Sequence, residues 1–95
     1  MTKTEVSMQS PWADRLNDPL ANDIALVLHR MGGSAHQDIV INCVAAMKRQ
    51  RGESVTHDLK IMIIEAFERY RDFFVRPFGE GSLRWAISPE ALHAV

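Results

Sequence analysis

Ninety-five residues make one domain, close to the size at which a single apolar core is sufficient but not generous. The 46% apolar content is that of a globular chain, and no apolar run approaches the ~20 residues that span a bilayer, so a membrane protein is not expected. A formal charge of −1 sets the chain apart from strongly basic nucleic-acid binders, and the lone Cys43 excludes an internal disulfide.

Residues 1–18 read as an N-terminal arm, polar over residues 1–9. The opening Met1-Thr2-Lys3-Thr4-Glu5-Val6-Ser7-Met8 lacks the charged start and apolar stretch of a signal peptide, and with the single cysteine this predicts a cytoplasmic protein. Ser10-Pro11-Trp12-Ala13-Asp14 offers a cap, a proline at the first helical position and an early acid, predicting one or two turns that carry Trp12 and Leu16.

Asp18-Pro19 starts the first long helix by the same logic. Its apolar stripe is Leu20, Ile24, Val27, Leu28 and Met31, and Gly32-Gly33 stops it. Ser34-Ala35-His36-Gln37 has the spacing of a capping box, so a second helix is expected from there to about Gln50. Val40, Cys43, Val44 and Met47 face inward, and Gly52 ends it. Ser54 or Thr56 is then expected to cap a third helix within residues 56–74. Its core face is Leu59, Met62, Ile63, Ala66, Phe67 and Tyr70, extended by Phe73 or Phe74.

Pro77 cannot sit in a central strand, so residues 75–78 read as an edge strand. Gly79-Glu80-Gly81-Ser82 supplies a turn. On the return, Leu83, Trp85 and Ile87 alternate with Arg84, Ala86 and Ser88, which predicts one inward face. Residues 89–95 form a tail with one short turn. The expected fold is mainly α with a C-terminal β-hairpin.

Three helices followed by a hairpin resemble a winged helix-turn-helix, a three-helix core plus a wing, most like those of prokaryotic DNA-modification, restriction-associated and regulatory proteins. The similar residues are Met31-Gly32-Gly33-Ser34-Ala35-His36-Gln37-Asp38-Ile39-Val40, linking the first two helices, and Gly79-Glu80-Gly81-Ser82-Leu83-Arg84-Trp85-Ala86-Ile87-Ser88, the wing. These stretches cover about a quarter of the chain, and the element order assigns residues 19–88 to the domain. The resemblance implies binding of double-stranded DNA through the third helix and the wing, in a transcription-regulating or accessory role.

Charge is unevenly spread. Residues 21–52 carry Arg30, Lys48, Arg49 and Arg51 against Asp23 and Asp38, a net of +2. Residues 53–74 carry Lys60, Arg69 and Arg71 against Glu53, Asp58, Glu65, Glu68 and Asp72, a net of −2. On the DNA reading, Lys48, Arg49, Arg51, Arg76 and Arg84 anchor phosphates, while Ser54, Thr56, His57 and Lys60 lie nearest the bases. A plainer reading of Lys48, Arg49 and Arg51 is that cations favour a helix C-terminus. Arginines on edge strands likewise discourage strand pairing.

Winding the third helix puts His57, Ile61, Ile64, Glu65, Glu68, Arg71 and Asp72 away from the core. Carboxylates there repel phosphate, and two isoleucines there call for a cover. That cover is a twofold partner, making the chain a homodimer, or the N-terminal arm through Trp12 or Met8. Leu26, on the back of the first helix, joins Ile61, Ile64, Glu65 and Glu68 as an interface candidate. The alternative function is therefore a protein interaction and dimerisation module that binds no nucleic acid.

His29, His36, His57 and His93 have no metal-ligand spacing, and no phosphate loop, nucleophile elbow or paired-carboxylate signature accompanies them. No enzyme, metal or cofactor is expected, and Cys43 reads as a small core residue.

Overall fold

The computed structural model describes Leu16 and residues 18–93. The turns expected around Trp12 lie outside the described residues. Among the described residues, four helices and one sheet follow in the order α1 (Pro19–Arg30), β1 (Ser34–His36), α2 (Gln37–Gln50), α3 (Leu59–Arg69), β2 (Phe74–Val75), β3 (Arg84–Ile87) and α4 (Pro89–His93). The sheet is antiparallel with strand order β1-β3-β2, so the last strand is central. The mainly helical chain with a late hairpin is as expected; the third strand is not.

The start of α1 follows its sequence signals. Asp18 occupies the N-cap, and its carboxylate accepts a 2.9 Å bond from the Leu20 N–H ahead of a proline-led first turn. At the far end the Gly32 N–H bonds to the His29 carbonyl (3.1 Å) and the Gly33 N–H to the Leu28 carbonyl (2.8 Å). This closure needs a left-handed residue, and Gly32 has φ +86°. The end of α2 repeats it, with Gly52 bonding to Arg49 (3.0 Å) and Glu53 to Lys48 (2.8 Å).

Ser34 does not cap the second helix. Residues Ser34, Ala35 and His36 pair with Ala86, Trp85 and Arg84 of β3, which commits their backbone to a ladder. The helix therefore begins at Gln37, capped by His36, whose Nδ1 accepts from the Asp38 N–H (3.0 Å). Its inward stripe is Val40, Val44 and Ala45; Cys43 and Met47 are only half-buried.

Neither Ser54 nor Thr56 caps α3. Asp58 stands at the N-cap without a side-chain capping bond, and the Thr56 hydroxyl donates to the Asp58 carboxylate instead. The helix also stops at Arg69, short of Phe74. The N–H groups of Phe73 and Phe74 both return to the Tyr70 carbonyl (2.9 Å each), and that turn frees Phe74 to pair with Ile87. The edge strand then ends at Val75, and Pro77 lies in the following turn rather than in the strand.

The core forms where α1 meets α2, α3 and the sheet, around Ile24, Leu28, Val40, Val44, Ile63, Phe67 and Phe74. The Phe67 ring lies parallel to Trp85 at 4.2 Å and meets Phe74 edge-on at 5.3 Å. Trp85 and Ile87 are buried as the alternation predicts, but Ala86 and Ser88, expected on the other face, are buried too, and Leu83 precedes the strand and is exposed. Met31 and Met62, expected in the core, are exposed as well. Among the described residues, no helix is long and apolar enough to cross a membrane.

Candidate interaction surface

The expected phosphate anchors are largely engaged within the chain. Where α2 ends, Arg51 makes a two-pronged pair with Asp23 of α1, Nη1 to Oδ1 at 3.1 Å and Nη2 to Oδ2 at 2.7 Å. Its Nε donates to Glu53 (2.7 Å), which also accepts from Lys48 Nζ (3.2 Å). Lys48, Glu53, Arg51 and Asp23 thus form one continuous chain of alternating charges. The repeated helix-end closure explains it: bonding the Glu53 backbone to the Lys48 carbonyl brings the two side chains together.

Hydrogen bonds from Arg51 first, and Lys48 second, hold the Glu53 carboxyl below its ordinary value, while Asp23 and Glu53 push the Arg51 guanidinium up. Asp58 is likewise lowered, mainly by the Thr56 hydroxyl. A carboxylate lowered by partners it meets only on folding stabilises the fold above its ordinary value, about 4.5 for Glu53. That contribution disappears as pH falls through the folded value. Urea midpoints are therefore expected to drop as pH falls below about 4.5, with Glu53→Gln flattening part of the slope. An unchanged slope in the variant contradicts the pairing.

The hairpin arginines are also occupied. Arg76 lays its guanidinium over Trp85, 4.4 Å from the ring centroid, and pairs with Glu68 of α3 at 3.1 Å. Its Nη1 donates to the Glu80 carbonyl across the turn. Arg84 Nε donates to the Ser34 hydroxyl (3.1 Å), tying β3 to β1. Arg71 bridges Glu68 (3.4 Å) and Glu80 (3.6 Å). Of the proposed contact residues, Arg49, Ser54, His57 and Lys60 are exposed and have no ion pair or side-chain bond among the described residues. Thr56 is exposed too, but its hydroxyl is engaged with Asp58.

The outward face of α3 is apolar and acidic. Ile61 is 59% exposed, Ile64 is half-buried, and Glu65 and Glu68 are exposed beside them. Leu26 is half-buried and packs on the core. Sequence reasoning missed the exposed apolar side chains of the β2–β3 connection, Phe78 (73%) and Leu83 (52%). Period-2 alternation placed Leu83 inward, and only the observed strand start at Arg84 turns it out. It also missed Asp23, an almost buried carboxylate whose partner lies 28 residues away.

Cys43 lines an apolar hollow of about 220 Å³ with Val27, Arg30, Met31, Ala46 and Met47. Among the described residues, no three His, Cys, Asp or Glu side chains are placed to hold a metal ion. No protein-family model, no curated protein and no solved structure matches this chain.

Proposed function

We propose that this chain is a winged helix-turn-helix domain that works by docking protein, not DNA, on the outward face of its third helix. The order of three helices and a hairpin supports the first part. The observation that carries the second is the make-up of α3, which turns Ile61, Ile64, Glu65 and Glu68 outward with Lys60 as the unpaired cation. Base edges are read by side-chain donors such as arginine, lysine, asparagine and glutamine; on that side Arg71 is held by Glu68 and Glu80, while Lys60 has no ion pair among the described residues.

Phosphate binding fares no better in magnitude. Tight duplex binders neutralise about 6–10 phosphates, whereas Lys48, Arg51 and Arg76 are already neutralised by carboxylates here. The remaining three, Arg49, Lys60 and Arg84, the last bonded only to the Ser34 hydroxyl, support a salt slope of only about −3. The second reading is a DNA-binding regulatory or accessory dimer. It is favoured by the exposure of Arg49, Ser54, Thr56, His57 and Lys60 along one connection.

A labelled duplex titrated with the protein at about 50 mM and about 200 mM salt separates the two. Docking of protein predicts no saturation in the micromolar range at either salt. Micromolar or tighter binding that falls about 10³-fold between them would overturn the proposal.

A further inference from the structure

The docking face carries a charge pattern that selects its own partner. Ile61 and Ile64 lie one helical turn apart and form a short apolar seam, with Ile61 the most exposed apolar side chain of the helix. Lys60 flanks the seam on one side and Glu65 on the other, five positions later. Both are exposed, and neither has an ion pair among the described residues. Glu68 differs, since Arg71 and Arg76 already hold it.

We infer that the occupant of this face is a second copy of the chain, with the two α3 helices side by side and parallel about a twofold axis. The inference rests on the protein-docking reading above. Two identical helices can pack on this seam in two ways. Antiparallel packing sets Lys60 against the partner's Lys60 and Glu65 against the partner's Glu65. Parallel packing sets each Lys60 against the partner's Glu65, the five-residue offset by which charges flanking an apolar seam pair in parallel two-stranded coils.

The parallel arrangement satisfies both charges twice over, closes Ile61 on the partner's Ile61, and closes Ile64 on the partner's Ile64. A seam this short buries less than a standard interface, so the dimer exchanges with monomer and the flanking charges weigh heavily in its constant.

Sedimentation equilibrium over a concentration series tests this with Lys60→Glu, Glu65→Lys and the double reversal. Both positions are exposed, so thermal melts at concentrations where the chain is monomeric are expected to match the parent. Each single variant should self-associate about fivefold to tenfold more weakly. The double reversal should return to within about twofold of the parent, and an equimolar mixture of the two single variants should form a mixed dimer as tight as the parent's.

Single variants that associate like the parent overturn the parallel arrangement, because antiparallel packing exchanges one like-charged pair for another. A parent that stays monomeric at millimolar concentration also overturns the inference. If it then fails to bind duplex, the docking reading stands with a different protein as partner. Duplex binding with a steep salt response instead overturns that reading and the dimer together.

Discussion

Replacing Phe67 by alanine is expected to cost about 3–5 kcal/mol, the largest loss of any single change considered. Phe67 is completely buried, lies parallel on Trp85 at 4.2 Å and takes the edge of Phe74 at 5.3 Å. It thereby joins α3 to both strands of the hairpin. Alanine removes the aromatic contacts and leaves a cavity that rigid neighbours cannot close. A domain this size has about 5–15 kcal/mol in total, so the variant should melt at least about 12 °C lower or fail to fold. Phe67→Leu keeps most of the volume and should lose less. A loss under about 1.5 kcal/mol in Phe67→Ala, measured by urea unfolding, would mean that the hairpin does not depend on that stack.

The second large effect is expected at Arg51. Its guanidinium holds Asp23 with two bonds, and the Asp23 side chain is only 11% exposed. Arg51→Ala leaves that carboxylate nearly buried without its cation, a cost of about 2 kcal/mol. The value is set below that of a buried pair because Arg51 itself is substantially solvated. Asp23→Asn removes the charge from the other side. The double change should fall short of additivity by about 1 kcal/mol, since either single change already breaks the pair. Strict additivity would assign Arg51 a purely surface role and reopen it as a phosphate ligand.

That pair also shows why charge counting misled. Along the chain, residues 21–52 read as a basic block, with Lys48, Arg49 and Arg51 at its end. In space two of those three cations close on carboxylates, Asp23 at the start of the same block and Glu53 in the acidic block that follows. A local net charge cannot report a pairing that spans 28 residues.

Several helix ends that depend on adjacent residues were legible, though the cap of α3 was not. Asp18-Pro19 and the Gly32 and Gly52 closures sit where their chemistry put them. Features set by distant pairing were not. Ser34-Ala35-His36 has the spacing of a cap, but its backbone is taken by β3, fifty positions on, and nothing in three residues announces a strand. The apolar rhythm through Tyr70, Phe73 and Phe74 continues past the helix because the same residues are needed on the inside of a turn.

The candidate surface was half legible for the same reason. Helical winding alone put Ile61, Ile64, Glu65 and Glu68 outward, and the structure leaves Ile61, Glu65 and Glu68 exposed and Ile64 half-buried. That Arg76 would cover Trp85 and pair with Glu68 depends on how the hairpin folds back on α3, which sequence spacing does not contain.

The most direct test of protein docking on α3 is a backbone amide spectrum of ¹⁵N-labelled protein at low salt, recorded as its own concentration rises and then as a short duplex is added. Docking between copies predicts that amides of residues 60–65 shift with protein concentration and stay still on addition of duplex. Shifts of those amides with duplex, together with those of Arg49, Ser54 and Thr56, would contradict it.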